Sequence, residues 1–562
     1  MRAGQLTAFL HSILLLALCG VLYFPYLNAT PFFDKGEPRE ALAVQDIVQR
    51  GEWLFPLKRA TAIPSKPPMF HWSAALTSEF TGVLNETTIR FPSAFYATLG
   101  VLLLYFFGRK AFGAQVALLG GAILATTMVY FNHALSARVD MTLCFFVSAA
   151  LMLFYSLYRG WLSSSIWYFC FYGLIGFATL AKGPLGMLLP ALVIAAFLAL
   201  RKRWEMIWKF AFHPGVLLTL ALVLGWYGLA ITRGGEGFVN RQLLSENLNR
   251  FFGGSGHTHP VYYYVPYLFS LGLPWALFFP PLIWQLVKKA RNSDEAQLFL
   301  VLWVGVMFLF FSISAGKRLV YILPLYPALA LLLANWVYHP VHSGALARLW
   351  LRAVALFAAA SGAILLLVVL GDLWGHDPGW FFAPLEKILK PRDRANMLLV
   401  KNQIVQFGWR FDAISTAWAL SWFAFGYFLW RYRVLAAGRA LILISILLAW
   451  VSRGWIEPEI ARNRSYREFM TAVNRLVKPD EELLVLGSFN SDPVIFYRGS
   501  VIEVVDRPAA KLRAGNKYII TAEKIWLAAK KTEPDLTSPL LRSVGKGPDG
   551  DAPLVLLRAE II

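Results

Sequence analysis

Five charged side chains, Asp34, Glu37, Arg39, Glu40 and Lys66, follow directly on the first long apolar run of this chain, from about Phe9 to Leu27. Such a run is long enough to cross a bilayer, so the cluster emerges at the far membrane surface. Carboxylates take protons from hydroxyls, and guanidinium and ammonium groups bind phosphate oxygens through charge-assisted hydrogen bonds. Acids and cations crowded at that level point to chemistry on an anionic lipid.

The same combination recurs further along. Asp140 stands in Ser-Ala-Arg-Val-Asp-Met at the mouth of another apolar run, where an ionisable group is costly unless it is paired or working. Arg138 is the partner that sequence offers. Lys182 lies in Ala-Lys-Gly-Pro, read as an exterior turn where a lysine can also snorkel to the interface. Arg250 precedes His257, His259 and Tyr262-Tyr263-Tyr264, and Lys317 and Arg318 precede Tyr321 and Pro324. Arg39, Lys66, Lys182, Arg250, Lys317 and Arg318 together can surround a phosphate, while Asp34 or Glu37 accepts a proton from an incoming hydroxyl. Glycosyl transfer from a lipid phosphate needs both: an anionic leaving group must be stabilised and a poor nucleophile activated. The His-x-His pair supplies too few ligands for zinc alone, and a divalent metal there requires an acid from another loop.

The elements that position these groups follow from composition. The chain has 57% hydrophobic, 15% aromatic and only 15% charged residues, which excludes an ordinary soluble domain. It reads as a polytopic α-helical membrane protein of about thirteen spans of about 20 residues each. They fall near 8–28, 91–108, 113–131, 140–158, 164–180, 184–200, 213–231, 262–286, 296–314, 319–337, 350–371, 411–430 and 438–456. The net charge of +20 is concentrated in alternate loops, at Arg109-Lys110, Arg159, Arg201-Lys202-Arg203, Lys288-Lys289-Arg291 and Arg431-Arg433. By the positive-inside rule those loops and the N-terminus are cytoplasmic, and an odd number of spans places the C-terminal hundred residues outside. No RNA-binding signature accompanies the cations, so nucleic acid is not an expected partner. The three cysteines, Cys19, Cys144 and Cys170, fall within spans without ligand-like spacing and read as packing residues. The first span reads as a retained signal anchor.

Residues 1–456 therefore form the membrane domain. Its loop 29–90 is too long for a connector. Ala41, Val44, Ile47 and Val48 share one face of a helix over 40–50 that is expected to lie along the membrane surface. Pro38 suits a first helical position, which makes Glu37 the N-cap. From 457 to 562 charge rises and apolar runs shorten to strand length. Glu482–Gly487, Val494–Tyr497, Val501–Val505 and Tyr518–Thr521 read as strands, and Tyr466–Val477 and Glu523–Lys530 as helices, giving a small exterior α/β domain. It has no phosphate-binding glycine loop and reads as a cap or a partner-binding module.

Taken in order, the first-loop acids with Arg39, Lys66-Pro-Pro followed by His71-Trp72-Ser73, Arg90-Phe-Pro-Ser, Val-Asp140-Met, Ala-Lys182-Gly-Pro, Arg250 ahead of His-Pro-Val-Tyr-Tyr-Tyr, and Lys317 to Pro324 resemble bacterial GT-C glycosyltransferases. The likeness is to the aminoarabinose lipid A transferases within the wider protein O-mannosyltransferase-like group, and it covers nearly the whole chain. It implies a GT-C fold and an inverting transferase at the periplasmic face of a bacterial inner membrane. The donor it implies is an undecaprenyl-phosphate-linked sugar such as 4-amino-4-deoxy-L-arabinose, and the acceptor is lipid A or another periplasmic glycan or protein hydroxyl. Glu37 or Asp34 matches the catalytic acid of the first loop, and Asp140 a second acid that places sugar or acceptor. Arg39, Lys66, Arg250 and Tyr321 match positions that hold the lipid phosphate. One departure stands out: the resembling enzymes carry Asp-Glu ahead of the arginine, whereas this chain has Gly36-Glu37, and Gly36 cannot act as a base. A polyprenyl-lipid transporter is the alternative of another class. It should show broken helices or ionisable residues near the midplane together with internal repeats, and none of these is legible. A non-catalytic membrane scaffold would tolerate neutral residues at Glu37 and Asp140.

Overall fold

Every one of the thirteen apolar segments is helical in the computed structural model, which describes residues 3–59, 62–63, 65–242, 245, 258–288, 294–339, 344–375, 383–389, 391–487, 489–505, 517–532, 538–545, 547 and 553–559. Among the described residues, eight helices are long and apolar enough to cross a membrane, and ten spans result if each of two bent pairs counts as one. The chain is a multi-pass membrane protein. Helices over Ser165–Lys182, Leu185–Leu200 and Trp409–Trp430 are present but fall outside that set.

In chain order the first eleven helices are α1 (Ala3–Leu22), α2 (Glu37–Arg50), α3 (Met69–Thr81), α4 (Glu86–Phe112), α5 (Ala114–Thr126), α6 (Met128–Ala134), α7 (Val139–Tyr158), α8 (Ser165–Lys182), α9 (Leu185–Leu200), α10 (Trp204–Ala211) and α11 (Gly215–Phe238). The chain divides into two units. One takes in Met1–Pro25, Ser65–Phe70 and Pro92–Val451, and the other Tyr26–Pro64, His71–Phe91 and Ser452–Ile562.

Within the first unit two spans are broken, where the sequence suggested continuous ones. α5 and α6 meet at 66°, and Val261–Leu271 meets Trp275–Lys288 at 109°. A break in a span strands backbone groups that lipid cannot satisfy. Here the two breaks satisfy each other: Met128 N–H donates to the Leu273 carbonyl at 2.8 Å, and Trp275 Nε1 donates to Thr126 Oγ1 at 2.9 Å. The groups that close both bends are nonionisable. α8 and α9 are joined by a tight reversal. Gly183 sits at φ +74°, and a Cβ on Gly186 would lie 2.1 Å from the Ala178 carbonyl carbon. Only glycine permits this approach, which holds the C-terminal end of α8 in place.

The second unit carries a five-stranded sheet of β1 (Leu483–Leu486), β2 (Glu503–Val505), β3 (Lys517–Ala522), β4 (Leu541–Arg542) and β5 (Leu554–Ala559). Its order is β2-β1-β3-β5-β4, with β1 parallel to β2 and β3, and β5 antiparallel to β3 and β4. Leu484, Leu486, Ile519, Val555 and Leu557 form its core with Trp526. The segment Val494–Tyr497, expected as a strand, is instead part of a helix, Asp492–Arg498. Its β-branched and aromatic run is overruled by Pro493 in the first turn and Gly499 in the left-handed C-cap. α2 differs from a one-sided surface helix as well: it is buried on all sides from Ala41 through Ile47, and its neighbour is the helix Asp492–Arg498.

Gly186→Ala should cost about 1–3 kcal/mol through overpacking, measured as a lower unfolding temperature in detergent. Gly225→Ala in α11, where a Cβ meets nothing within 4 Å, should leave that temperature unchanged or raise it.

Candidate functional site

The chemistry-bearing residues of the second unit gather at the start of α2. Asp34 Oδ1 accepts the N–H groups of Gly36 (2.7 Å) and Glu37 (2.8 Å). This turn starts the helix, with Gly36 at the N-cap position and Pro38 in the first turn. Glu37 is therefore the first helical residue and not the cap, because Pro38 occupies the second position of the turn and not the first.

Glu37 has a different task. Arg90 donates from Nε to Glu37 Oε1 and from Nη2 to Oε2, both at 2.8 Å, and from Nη1 to the carbonyls of Leu27 (2.9 Å) and Thr30 (2.7 Å). Its guanidinium carbon also lies 5.2 Å from the centre of the Phe32 ring. Glu37 and Arg90 are 4% and 2% exposed. A bidentate fork with this many carbonyl acceptors is the arrangement in which a buried guanidinium tolerates desolvation. Sequence reasoning had Arg90 within the Arg-Phe-Pro-Ser motif but not as a site residue.

Glu40 forms a second buried ionic group. Its Oε1 accepts from Arg39 Nε (3.1 Å) and Nη2 (2.7 Å), and its Oε2 lies 2.9 Å from His71 Nε2. Burial pushes this carboxyl upward, but the charges of Arg39 and His71 and their hydrogen bonds outweigh it, holding the group well below the usual carboxylate range. Arg39, expected at the lipid phosphate, thus directs its fork to Glu40. Further bonds tie the loop to the sheet domain within this unit. The Tyr497 hydroxyl donates to Glu86 Oε1 and accepts from Phe32 N–H, each at 2.8 Å. Asp492 receives Lys58 Nζ at 2.6 Å and Arg59 Nε at 2.8 Å. Asp34, only half-buried, stands at the edge of this framework.

In the first unit the structure brings Asp140, Lys182 and Tyr321 together. Asp140 lies in the first turn of α7 and Lys182 is the last residue of α8, so each charge complements its own helix dipole. The two form a buried salt bridge, making Lys182 the ion-pair partner that sequence assigned to Arg138. Lys182 Nζ also sits 4.7 Å from the centre of the Tyr321 ring. A neighbouring clamp joins two loops: Lys317 Nζ donates to the carbonyls of His259 (2.9 Å) and Ser314, and Tyr264 Oη donates to the Arg318 carbonyl (2.9 Å) while accepting its N–H (3.2 Å). The His259 ring stacks on Tyr263 with centroids 4.2 Å apart. Lys66 belongs to the same unit, and its carbonyl accepts Gln242 Nε2 at 3.0 Å. Arg250 and His257 lie outside the described residues. No group of three or more His, Cys, Asp or Glu side chains suited to a metal ion occurs among the described residues.

Residues 65–227 match the family described as dolichyl-phosphate-mannose-protein mannosyltransferase. An uncharacterised protein of Aquifex aeolicus is 31% identical over 56% of this chain and 62% of its own length. The undecaprenyl phosphate-alpha-4-amino-4-deoxy-L-arabinose arabinosyl transferase of Pectobacterium atrosepticum is 26% identical over 74% of this chain and 72% of its own. The chain thus spans about three fifths of the length of the first of these relatives and nearly three quarters of the second. In fold, the chain is similar to the crystal structure of ArnT from Cupriavidus metallidurans bound to undecaprenyl phosphate. That likeness has a TM-score of 0.76 and 20% identity, and it covers 100% of this chain and 99% of the other.

Removing one partner of a buried ion pair strands the other, so Glu37→Gln and Arg90→Met should each cost about 3–5 kcal/mol, seen as early unfolding in a detergent melt. Glu40 gives a pH signature. Its folded pKa lies below the unfolded value of about 4.3, so the stability it contributes is complete above that value and is lost as pH falls toward the depressed one. Stability of the wild type measured from pH 7 to pH 3 should therefore fall more steeply than that of Glu40→Gln.

Proposed function

We propose that the chain is an inverting glycosyltransferase of the GT-C group that includes the aminoarabinose lipid A transferases and the protein O-mannosyltransferases, a reading supported by the family match over residues 65–227 and by the arabinosyl transferase relatives. It moves a sugar from a polyprenyl-phosphate donor to a hydroxyl of lipid A or of another glycan or protein at the outer face of the inner membrane, with the N-terminus cytoplasmic and residues 457–562 forming a periplasmic domain. The observation that carries this reading is the buried Asp140–Lys182 pair under Tyr321, at the ends of two apolar helices. A lipid-embedded bundle has no need of such charges for packing, and they mark working sites in membrane proteins. Similarity to the arabinosyl transferases supports undecaprenyl phosphate as the carrier and aminoarabinose as the sugar.

Asp34 is the base in this account. Glu37, Glu40 and Asp140 are buried, at 4%, 4% and 8% exposure, which shields them from an incoming hydroxyl. Asp34 is half-exposed, and the two backbone N–H groups on its Oδ1 fix its direction. It takes the acceptor proton as the acceptor oxygen bonds to the anomeric carbon and the bond from that carbon to the phosphate oxygen breaks. The resemblance assigns Lys66, Arg250 and Tyr321 to the departing polyprenyl phosphate, and within the first unit Lys182 lies against the Tyr321 ring while paired with Asp140.

Sugar transfer in proteoliposomes supplied with a panel of undecaprenyl-phosphate sugars, with lipid A and a serine-rich peptide as acceptors, tests the reading. Asp34→Asn should lower kcat by about a hundredfold or more with an unchanged melting temperature, whereas Glu37→Gln should lose activity in proportion to folded protein. Lys182→Ala strands the buried Asp140 and should lower the melting temperature, and kcat/KM per folded protein should fall as well. No transfer from any donor by the wild type overturns the reading.

A further inference from the structure

A cavity of about 710 Å³ opens in the first unit between α4, α7, α8 and α11. Its walls are hydrocarbon, with Leu103, Phe145, Met152, Phe177 and Leu218 among them, and it carries a cation at one end: Lys110 lies over the Trp161 ring, 5.9 Å from its centre. α7 fixes the position of that end. Asp140 is in the first turn of α7, whereas the groove runs along it from Phe145 to Ser156, about 16 Å at 1.5 Å per residue. Lys110 is therefore at the opposite end of the bundle from the Asp140–Lys182 pair.

Independent features place the mouth of the groove at the level of lipid headgroups. α10 exposes Trp204 and Trp208, with Phe212 stacked on Trp208, one turn apart along a single side. Arg201, Lys202, Arg203 and Lys209 flank this stripe, which is the pattern of a helix lying in an anionic interface. α10 is anchored to α8, one wall of the groove: Lys209 lies 5.4 Å from the centre of the Tyr168 ring.

We propose that this groove is a binding site for an anionic glycerophospholipid, one acyl chain lying between the four helices and the headgroup phosphate meeting Lys110. The ammonium selects an anionic headgroup over a zwitterionic one, and the apolar lining along about 16 Å of α7 suits a single acyl chain. This goes beyond the sugar-transfer reading, since the site faces the other leaflet and holds a lipid that is not consumed.

The experiment is native mass spectrometry of the full chain released from detergent and titrated with phosphatidylglycerol, phosphatidylethanolamine or undecaprenyl phosphate. Wild type should retain phosphatidylglycerol in preference to phosphatidylethanolamine. Ala149→Phe, which fills the groove, should lower phosphatidylglycerol retention tenfold or more, and Lys110→Gln should abolish the preference while leaving some binding. Cys170 supplies a second readout, because it lines the groove and is exposed whereas Cys19 and Cys144 are buried. Phosphatidylglycerol should slow its alkylation by an apolar maleimide in the folded wild type. Equal retention of all lipids by wild type and Ala149→Phe, with unprotected Cys170, overturns the proposal. Loss of undecaprenyl phosphate alone in Ala149→Phe also overturns it, assigning the groove to the donor tail. A failed sugar-transfer assay leaves these lipid readouts unaffected.

Discussion

A buried arginine must be surrounded by acceptors, and the first loop is arranged around that requirement. Arg90 reaches Glu37 with two N–H groups and the carbonyls of Leu27 and Thr30 with two more, while Phe32 covers its face. One side chain at the start of α4 thereby fixes the segment from Leu27 to Thr30 and the first turn of α2. Isolated in lipid or in a dry interior, the guanidinium would be intolerable, and with this shell it becomes a fastener. The direction of Asp34 follows, because its turn accepts the very N–H groups that open α2.

The sheet domain extends the same framework. Through Tyr497 it meets Phe32 and Glu86, through Asp492 it holds Lys58 and Arg59, and through Gly499 it accepts Gln49. Burial and the charge of Glu86 push the Tyr497 phenol upward, so it stays protonated and able to donate across the physiological range. These contacts give the domain a holding role over a loop that is long, polar and rich in turns.

Much of this was legible in the sequence, and the parts that were not have physical reasons. Apolar runs located the helices because membrane spans announce themselves by length and composition. Asp34, Glu37, Asp140 and Lys182 were recognisable as unusual charges. What one dimension concealed was pairing. Asp140 and Lys182 are 42 residues apart and meet only because α7 and α8 run antiparallel and α9 locks onto α8 at Gly186. Glu37 looked like a helix cap because Pro38 fits either of two adjacent positions, and a shift of one residue exchanges a cap for an ion-pair partner. Val494–Tyr497 looked like a strand because its residue types favour one, while the proline and glycine at its ends decided otherwise. The bends at Thr127 and near Leu273 had no local signal strong enough to separate them from continuous spans, since each is stabilised by the other.

In the proposed reaction Glu37 builds and Asp34 takes the proton. Chemical rescue separates the two most directly: sugar transfer by Asp34→Ala and Glu37→Ala proteoliposomes, with rising formate. A small carboxylate that fills the space left by a catalytic base restores proton transfer, whereas it cannot rebuild a buried bidentate ion pair. Dose-dependent recovery in Asp34→Ala and none in Glu37→Ala is the result this account predicts. Recovery in Glu37→Ala with Asp34→Ala unresponsive would contradict it and make the glutamate the base.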